Sequence, residues 1–158
     1  MPRKKRRQTK TFPLTYYVVQ ITDWDWSYSF SVNAVAYRDE QFSDYRHLQI
    51  RGTLLRPRKI KVETVELFFL PDIGRAEMER RDLPPPRAVG SLYIRETALI
   101  GNLSMPTDAL DPVMQMLLAD RLKYVALDGE PMRWRKALIR HYEIKTQHNE
   151  EDYPDDEY

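Results

Sequence analysis

The sequence predicts a mainly β protein: an antiparallel β-sandwich or barrel of about seven strands, with one helix, at about 111–121, before the last two strands. Three observations carry this. The segment from Asp23 to Ala36 is apolar at every even position. Several other segments alternate with the same period of two and are bounded by turn residues. One segment alone, opening at Asp111-Pro112, combines a helix start with a broad apolar face.

Thr15–Thr22 is rich in tyrosine and β-branched residues and reads as the first strand. In the next run Trp24, Trp26, Tyr28, Phe30, Val32, Ala34 and Ala36 alternate with Asp23, Asp25, Ser27, Ser29, Ser31 and Asn33. Successive side chains of a strand point to opposite faces, so this run has one apolar and one polar face. At strand rise it would span about 43 Å, longer than a usual strand, so a bend, a bulge or a break near Asn33 is expected. Leu48, Ile50, Gly52 and Leu54 alternate against His47, Gln49, Arg51 and Thr53. Ile60 and Val62 open a further run that slips phase near Glu63–Thr64, where a bulge is expected, and continues through Val65, Leu67 and Phe69. Arg56-Pro57-Arg58 reads as the turn before it.

The stretch from Pro71 to Arg87 is the longest irregular one. Its charged piece, Arg75–Asp82, fits a turn of helix, and Pro84-Pro85-Pro86 an extended polyproline segment. Gly90–Leu103 reads as one or two strands. In the helix, Asp111 is the expected N-cap and Pro112 the first helical residue, with Val113, Met114, Met116, Leu117 and Leu118 as its apolar face. Lys123–Asp128 follows as a short strand, and Asp128-Gly129 as a tight turn. Met132, Trp134, Leu138, Tyr142 and Ile144 share one parity in the closing strand.

A chain of 158 residues fits one domain with a core that needs no disulfide or structural metal. The absence of cysteine excludes disulfide frameworks, thiolate metal sites and cysteine nucleophiles. No apolar run approaches the roughly 18 residues of a spanning helix, and no apolar segment follows the basic start, so no membrane span or secretory signal is read. An intracellular location is expected. The net charge of +1 hides two opposite blocks. Arg3, Lys4, Lys5, Arg6, Arg7 and Lys10 stand without an acid; Glu150, Glu151, Asp152, Asp155, Asp156 and Glu157 stand without a base. Like-charge blocks repel themselves, so the expected organisation is a disordered basic arm at 1–11, a β-rich domain at 12–146 and a disordered acidic tail at 147–158.

No G-x-S-x-G, P-loop or G-x-G-x-x-G occurs, and His47, His141 and His148 lack metal-ligand spacing, so neither catalytic residue, metal nor cofactor is assigned. The aromatic stripe is assigned to the core, with Trp24 and Trp26, nearest the strand start, as its most exposed members. Asp23 and Asp25 are read as a solvated face. The basic residues point further. Arg56, Arg58 and Lys59, and Arg133, Arg135 and Lys136 beside Trp134, lie in two predicted hairpins. With the arm residues Arg3, Lys4, Lys5, Arg6, Arg7 and Lys10 they are the expected contacts for phosphates. The basic start also has the composition of a nuclear import signal. The leading expectation is therefore a non-enzymatic binding module for polyanions, nucleic acid first. The alternatives are an adaptor that engages a protein through sheet edges or the helix, and an enzyme assembled from Asp23, Asp25, His47 and His141. The acidic tail is weighed as a decoy folding onto the basic surface, against a plain solubilising role.

Overall fold

The tyrosine-rich run and the long alternating run join into one strand, β1 (Thr15–Val32). The sequence changes phase where they meet: Tyr17, Val19 and Ile21 point inward before the junction, and Trp24 after it. A register shift between Ile21 and Asp23 leaves Thr22 as the extra residue that makes the change. The computed structural model describes residues 14–32, 42–74 and 87–154. The expectations for the basic arm, for Asn33–Ala36, for Arg75–Asp82 and for the three prolines fall outside them.

Six more strands follow: β2 (Phe42–Arg56), β3 (Thr64–Ile73), β4 (Gly90–Arg95), β5 (Ala98–Pro106), β6 (Tyr124–Gly129) and β7 (Lys136–Lys145). They close into a barrel in the order β1-β2-β3-β5-β4-β7-β6, returning to β1. The mainly β architecture with one helix before the last two strands is as expected. One neighbour pair, β3 with β5, is parallel. A closed ring of seven cannot alternate direction all the way round, so an odd ring needs an odd number of parallel neighbours. This ring has one, made where β5 inserts between β3 and β4.

The strand directions give the barrel two distinct ends. At one, which we call the ribbon end, β1 runs out, β2 runs in, and α1 (Leu110–Leu118) links β5 to β6. The β2–β3, β4–β5 and β6–β7 connections lie at the other, the turn end. A short 3-10 turn, Thr107–Ala109, leads into α1, whose N-cap is Ala109 without a side-chain bond. Asp111 therefore sits in the first turn instead of capping it, where its charge still suits the helix N-terminus. Leu110 and Leu117 bury against the barrel core.

Three local expectations are corrected. Ile60 and Val62 lie in the β2–β3 loop, and the strand begins only at Thr64, so the phase slip marks a strand start and not a bulge. The β6–β7 turn is made by Trp134-Arg135, not by Asp128-Gly129. Arg133 and Lys136 exchange both backbone bonds across it, at 2.8 and 2.9 Å. The closing strand does not keep one parity. Ala137 and Ile139 point inward and Leu138 outward, while Tyr142 and Ile144 pack against the core beyond a register shift opposite Asp128/Gly129.

The core is filled by the inward faces of all seven strands. Each fully buried Leu, Ile or Phe contributes about 1.5–3 kcal/mol relative to exposure. Two phenols reach the core edge with a partner. Tyr17 donates to the Glu130 carbonyl at 2.7 Å, and burial pushes its phenol well above the ordinary value. Tyr142 donates to the Ser104 carbonyl at 2.8 Å, and burial pushes its phenol up to about 12. At Gly52, opposite the Thr22 bulge, a Cβ would collide with the Gln20 carbonyl oxygen, so only glycine lets β1 and β2 approach there.

Residues 147–154, assigned from charge to the tail, lie along the outside of the barrel. Tyr153 packs edge-on against Tyr16 at 5.5 Å and stacks on His148 at 5.3 Å, and His148 meets Tyr124 at 5.3 Å. This strap crosses the outer face of β6 and β1. Two residues outside the core cluster are nevertheless buried on this outer face: Ala126, which lines a cleft with Tyr153, and Val18, which lies between Ala126 and the buried Arg56 in the strand register.

Candidate functional site

β1 pairs with β6 only from Thr15 to Gln20, and β2 pairs with β3 only from Leu48 to Gly52. Beyond those points, among the described residues, β1 and β2 pair only with each other. They continue as a two-stranded ribbon through the pairs Trp26–Leu48, Tyr28–Arg46, Phe30–Asp44 and Val32–Phe42, in unbroken register. Directly opposed residues share a face. One face of the ribbon therefore carries Trp26, Tyr28, Phe30, Val32 and Phe42, and it continues the line of the buried Leu48 and Ile50.

This face is open. Trp26 is 41 % exposed, Tyr28 51 % and Phe30 64 %, a gradient that rises away from the barrel. The expectation that the stripe fills the core is overturned, and so is the expected order of exposure: Trp24, half-buried against the core, is the most covered member. The alternation was read correctly, but among the described residues no second sheet lies over the face. The rings cover one another in part: Trp26 stacks on Tyr28 at 6.2 Å and Phe30 on Phe42 at 5.6 Å, both nearly parallel. Such offset stacks hold the rungs flat and add about 0.5–1.5 kcal/mol each.

The opposite face is polar, and several of its groups pair with one another. Arg51 pairs with Asp23 at the ribbon base, and this bond holds the Asp23 carboxyl below its ordinary value. The Ser31 and Ser43 hydroxyls meet at 3.0 Å, and Tyr45, His47 and Phe68 form a row at 5.4 and 6.0 Å. His47 Nδ1 is buried without a hydrogen-bond partner among the described residues. Asp44, which the sequence suggests is part of a polar turn, lies within β2, and together with Arg46 it carries the signal. They fall on the same parity as Leu48 and Ile50, and charges on an apolar parity mark where the cover ends.

The basic residues of the body gather at the turn end, but not as one patch. Arg58, Lys59, Arg133, Arg135 and Lys136 are exposed in the β2–β3 loop and the β6–β7 turn. The β4–β5 turn stands between them on one side of the ring. Arg135 is spent on that turn, donating to the Ile94 and Glu96 carbonyls at 3.2 and 3.0 Å. Glu63 accepts from Thr97 there at 3.2 Å, so two acids, Glu63 and Glu96, lie between the basic loops. Arg56 is buried. It donates to the Pro154 carbonyl at 2.7 Å, faces Glu150 at 3.5 Å and lies 5.4 Å over the Tyr153 ring. The strap thus occupies one of the residues assigned to phosphate. Trp134 projects at the β6–β7 turn, 97 % exposed, beside a cleft of about 540 Å³ that Tyr93 and Lys136 also line. The residues Arg3, Lys4, Lys5, Arg6, Arg7 and Lys10 lie outside the described residues.

The dispersed acids and histidines do not converge. Asp23 is engaged on the ribbon by Arg51, His47 lies on the ribbon's polar face, and His141 bonds Asp128 on the β6–β7 hairpin at 2.8 Å. The shallow cleft beside His141, about 210 Å³, holds none of the other three. Among the described residues no three or more His, Asp or Glu side chains are gathered to hold a metal, and no helix is long and apolar enough to cross a membrane. No protein-family model, no curated protein and no solved structure matches the chain.

Proposed function

We propose that the protein is a non-enzymatic interaction module that holds a polypeptide partner on the apolar face of the β1–β2 ribbon. The observation that carries this is the exposure of Trp26, Tyr28, Phe30, Val32 and Phe42 as one face, continuous with the core. Scattered exposed apolar residues need no explanation, but a contiguous face of rings does. Rigid aromatic anchors bring a large contact area at little entropic cost. The described ribbon also leaves two backbone edges without a neighbouring strand, along β1 beyond Asp23 and along β2 before Leu48. Its charges, Asp23, Asp25 and Asp44 against Arg46 and Arg51, are slightly acidic, which favours a polypeptide over a phosphate backbone. The test is a photo-reactive phenylalanine analogue placed at position 30 or at position 29 in the producing cell. Position 30 should cross-link to polypeptide, and position 29, on the opposite face, should not. Equal yields, or none, would remove this reading.

A second reading has one observation behind it. Trp134, a fully presented indole at the turn end, stands beside Arg133 and Lys136, with Arg58 and Lys59 at the same end across the β4–β5 turn. A stacking base with phosphates nearby would use such a set, each base contributing about 1–3 kcal/mol. In this reading the arm from Arg3 to Lys10 adds affinity. Deleting residues 1–10 should weaken oligonucleotide binding and flatten its salt dependence, and Trp134→Ala should abolish stacking-induced quenching. Unchanged titrations with both variants exclude it. A nuclear location through the same arm is part of this proposal, and fusing residues 1–10 to a reporter tests it.

A further inference from the structure

We infer that the partner on the ribbon is a second copy of the same chain, packed face to face about a two-fold axis between the Tyr28–Arg46 and Phe30–Asp44 rungs. This rests on the reading of the ribbon face as a docking surface and names its occupant. The argument is one of self-complementarity, which a two-fold contact requires: the same patch must fit itself after rotation. Along β2 the face reads Leu48, Arg46, Asp44, Phe42, and along β1 Trp26, Tyr28, Phe30, Val32. An axis across the strands between the middle rungs lays each column antiparallel on its own copy. Arg46 then faces Asp44 of the second copy, and Asp44 faces its Arg46, so both charges are paired. Tyr28 lies over Phe30, Leu48 over Phe42, and the largest side chain, Trp26, over the smaller Val32. No other axis between or on these four rungs pairs both charges. Within one chain Arg46 and Asp44 make no ion pair with each other or with another described residue. An unrelated partner would have to neutralise them separately, and leaving either charge unpaired under apolar cover is costly.

The size of the face sets the expected strength. Four same-side rungs at strand rise make a patch about 20 Å long and about 10 Å wide. That lies below the area of a standard stable interface, so the dimer should be reversible, with a Kd on the order of 1–100 μM.

Sedimentation equilibrium of the full chain, from about 1 to 500 μM, reads this directly. Wild type should pass from monomer to dimer. Asp44→Arg places like charges opposite each other twice and should weaken the dimer by about tenfold or more. The double variant Asp44→Arg with Arg46→Asp exchanges the signs at both positions and should restore affinity to within about threefold of wild type. Both positions are in the ribbon outside the barrel core, and circular dichroism checks that each variant folds. A wild type that stays monomeric throughout, a folded Asp44→Arg that dimerises normally, or a folded double variant that fails to recover would each overturn the proposal. The cross-link from position 30 separates the two readings. Capture of the same chain in trans supports self-pairing. Capture of a different polypeptide overturns self-pairing and leaves the docking surface standing. A cross-link within one chain, or none specific to this face, overturns both.

Discussion

Trp134 and Arg135 sit at φ 51° and 62°, the left-handed region at both central positions of a two-residue hairpin turn. That geometry suits Asn-Gly, and other residues there cost about 1–3 kcal/mol each. Trp134→Asn should therefore raise unfolding free energy by about 0.5–1 kcal/mol in urea titrations. If the same change removes oligonucleotide binding, the strain is being kept for a contact. The turn was missed in the sequence because Trp-Arg has the wrong chemistry for it, whereas Asp128-Gly129 has the right one and is held in β6 by pairing with β1 and β7. Arg56 tells a similar story. Its charge was legible, and its burial under a strap from 94 residues away was not. Arg56→Ala should cost about 1–2 kcal/mol, because it strands the Pro154 carbonyl and removes the cover of Val18. Glu150→Gln should cost less than about 1 kcal/mol, since Glu150 is largely solvated.

The elements most readable from sequence were those whose periodicity met a wall. β3 alternates and is covered, and its inward residues Val65, Leu67 and Phe69 were assignable from parity alone. β1 alternates as strongly, but parity says which residues share a face and not whether anything lies on it. That depends on how far β6 and β3 extend, which is a property of other segments. The strap is the converse case: an acidic run that the charge pattern sets apart is anchored by His148, Arg56 and Tyr153. Its pH response has a definite sign. The bond from His148, with Arg56 and Arg58 nearby, holds the Glu150 carboxyl below its ordinary value of 4.5. A depressed acid stabilises the anchored strap above that ordinary value and loses the contribution as pH falls through the lower folded-state value. Amide protection factors in residues 148–153, referred to the intrinsic exchange rate at each pH, should fall on acidification below about 4.5 while those of β3 and β5 stay high. Glu150→Gln should show the lowered protection already at neutral pH. Strap exchange that tracks global unfolding at every pH would contradict this.

At the scale of the whole molecule the ribbon is an appendage to a complete barrel. Ring closure uses β1 up to its bulge and β2 from Leu48 onward. Replacing residues 27–47 by Asn-Gly, joining the opposed Trp26 and Leu48 with a two-residue turn, should leave stability within about 1 kcal/mol of wild type. It should abolish association. By contrast, Leu67→Ala in the covered wall should cost about 2–5 kcal/mol. A collapse of the shortened chain in thermal unfolding would mean that the ribbon supports the barrel.

The single parallel seam between β3 and β5 also bears on how such a protein can change over evolution. Closure depends on direction as well as on number. Losing or gaining one strand away from the seam would bring two mismatched neighbours together and force a second parallel contact or an open edge; only at the seam itself could a single strand be lost or gained and leave a fully antiparallel ring. A hairpin carries one strand of each direction and leaves the balance intact. Without β6 and β7, β4 would meet β1 antiparallel and the remaining five could close with the same seam. The architecture can therefore be edited in whole hairpins anywhere in the ring, and in single strands only at the seam.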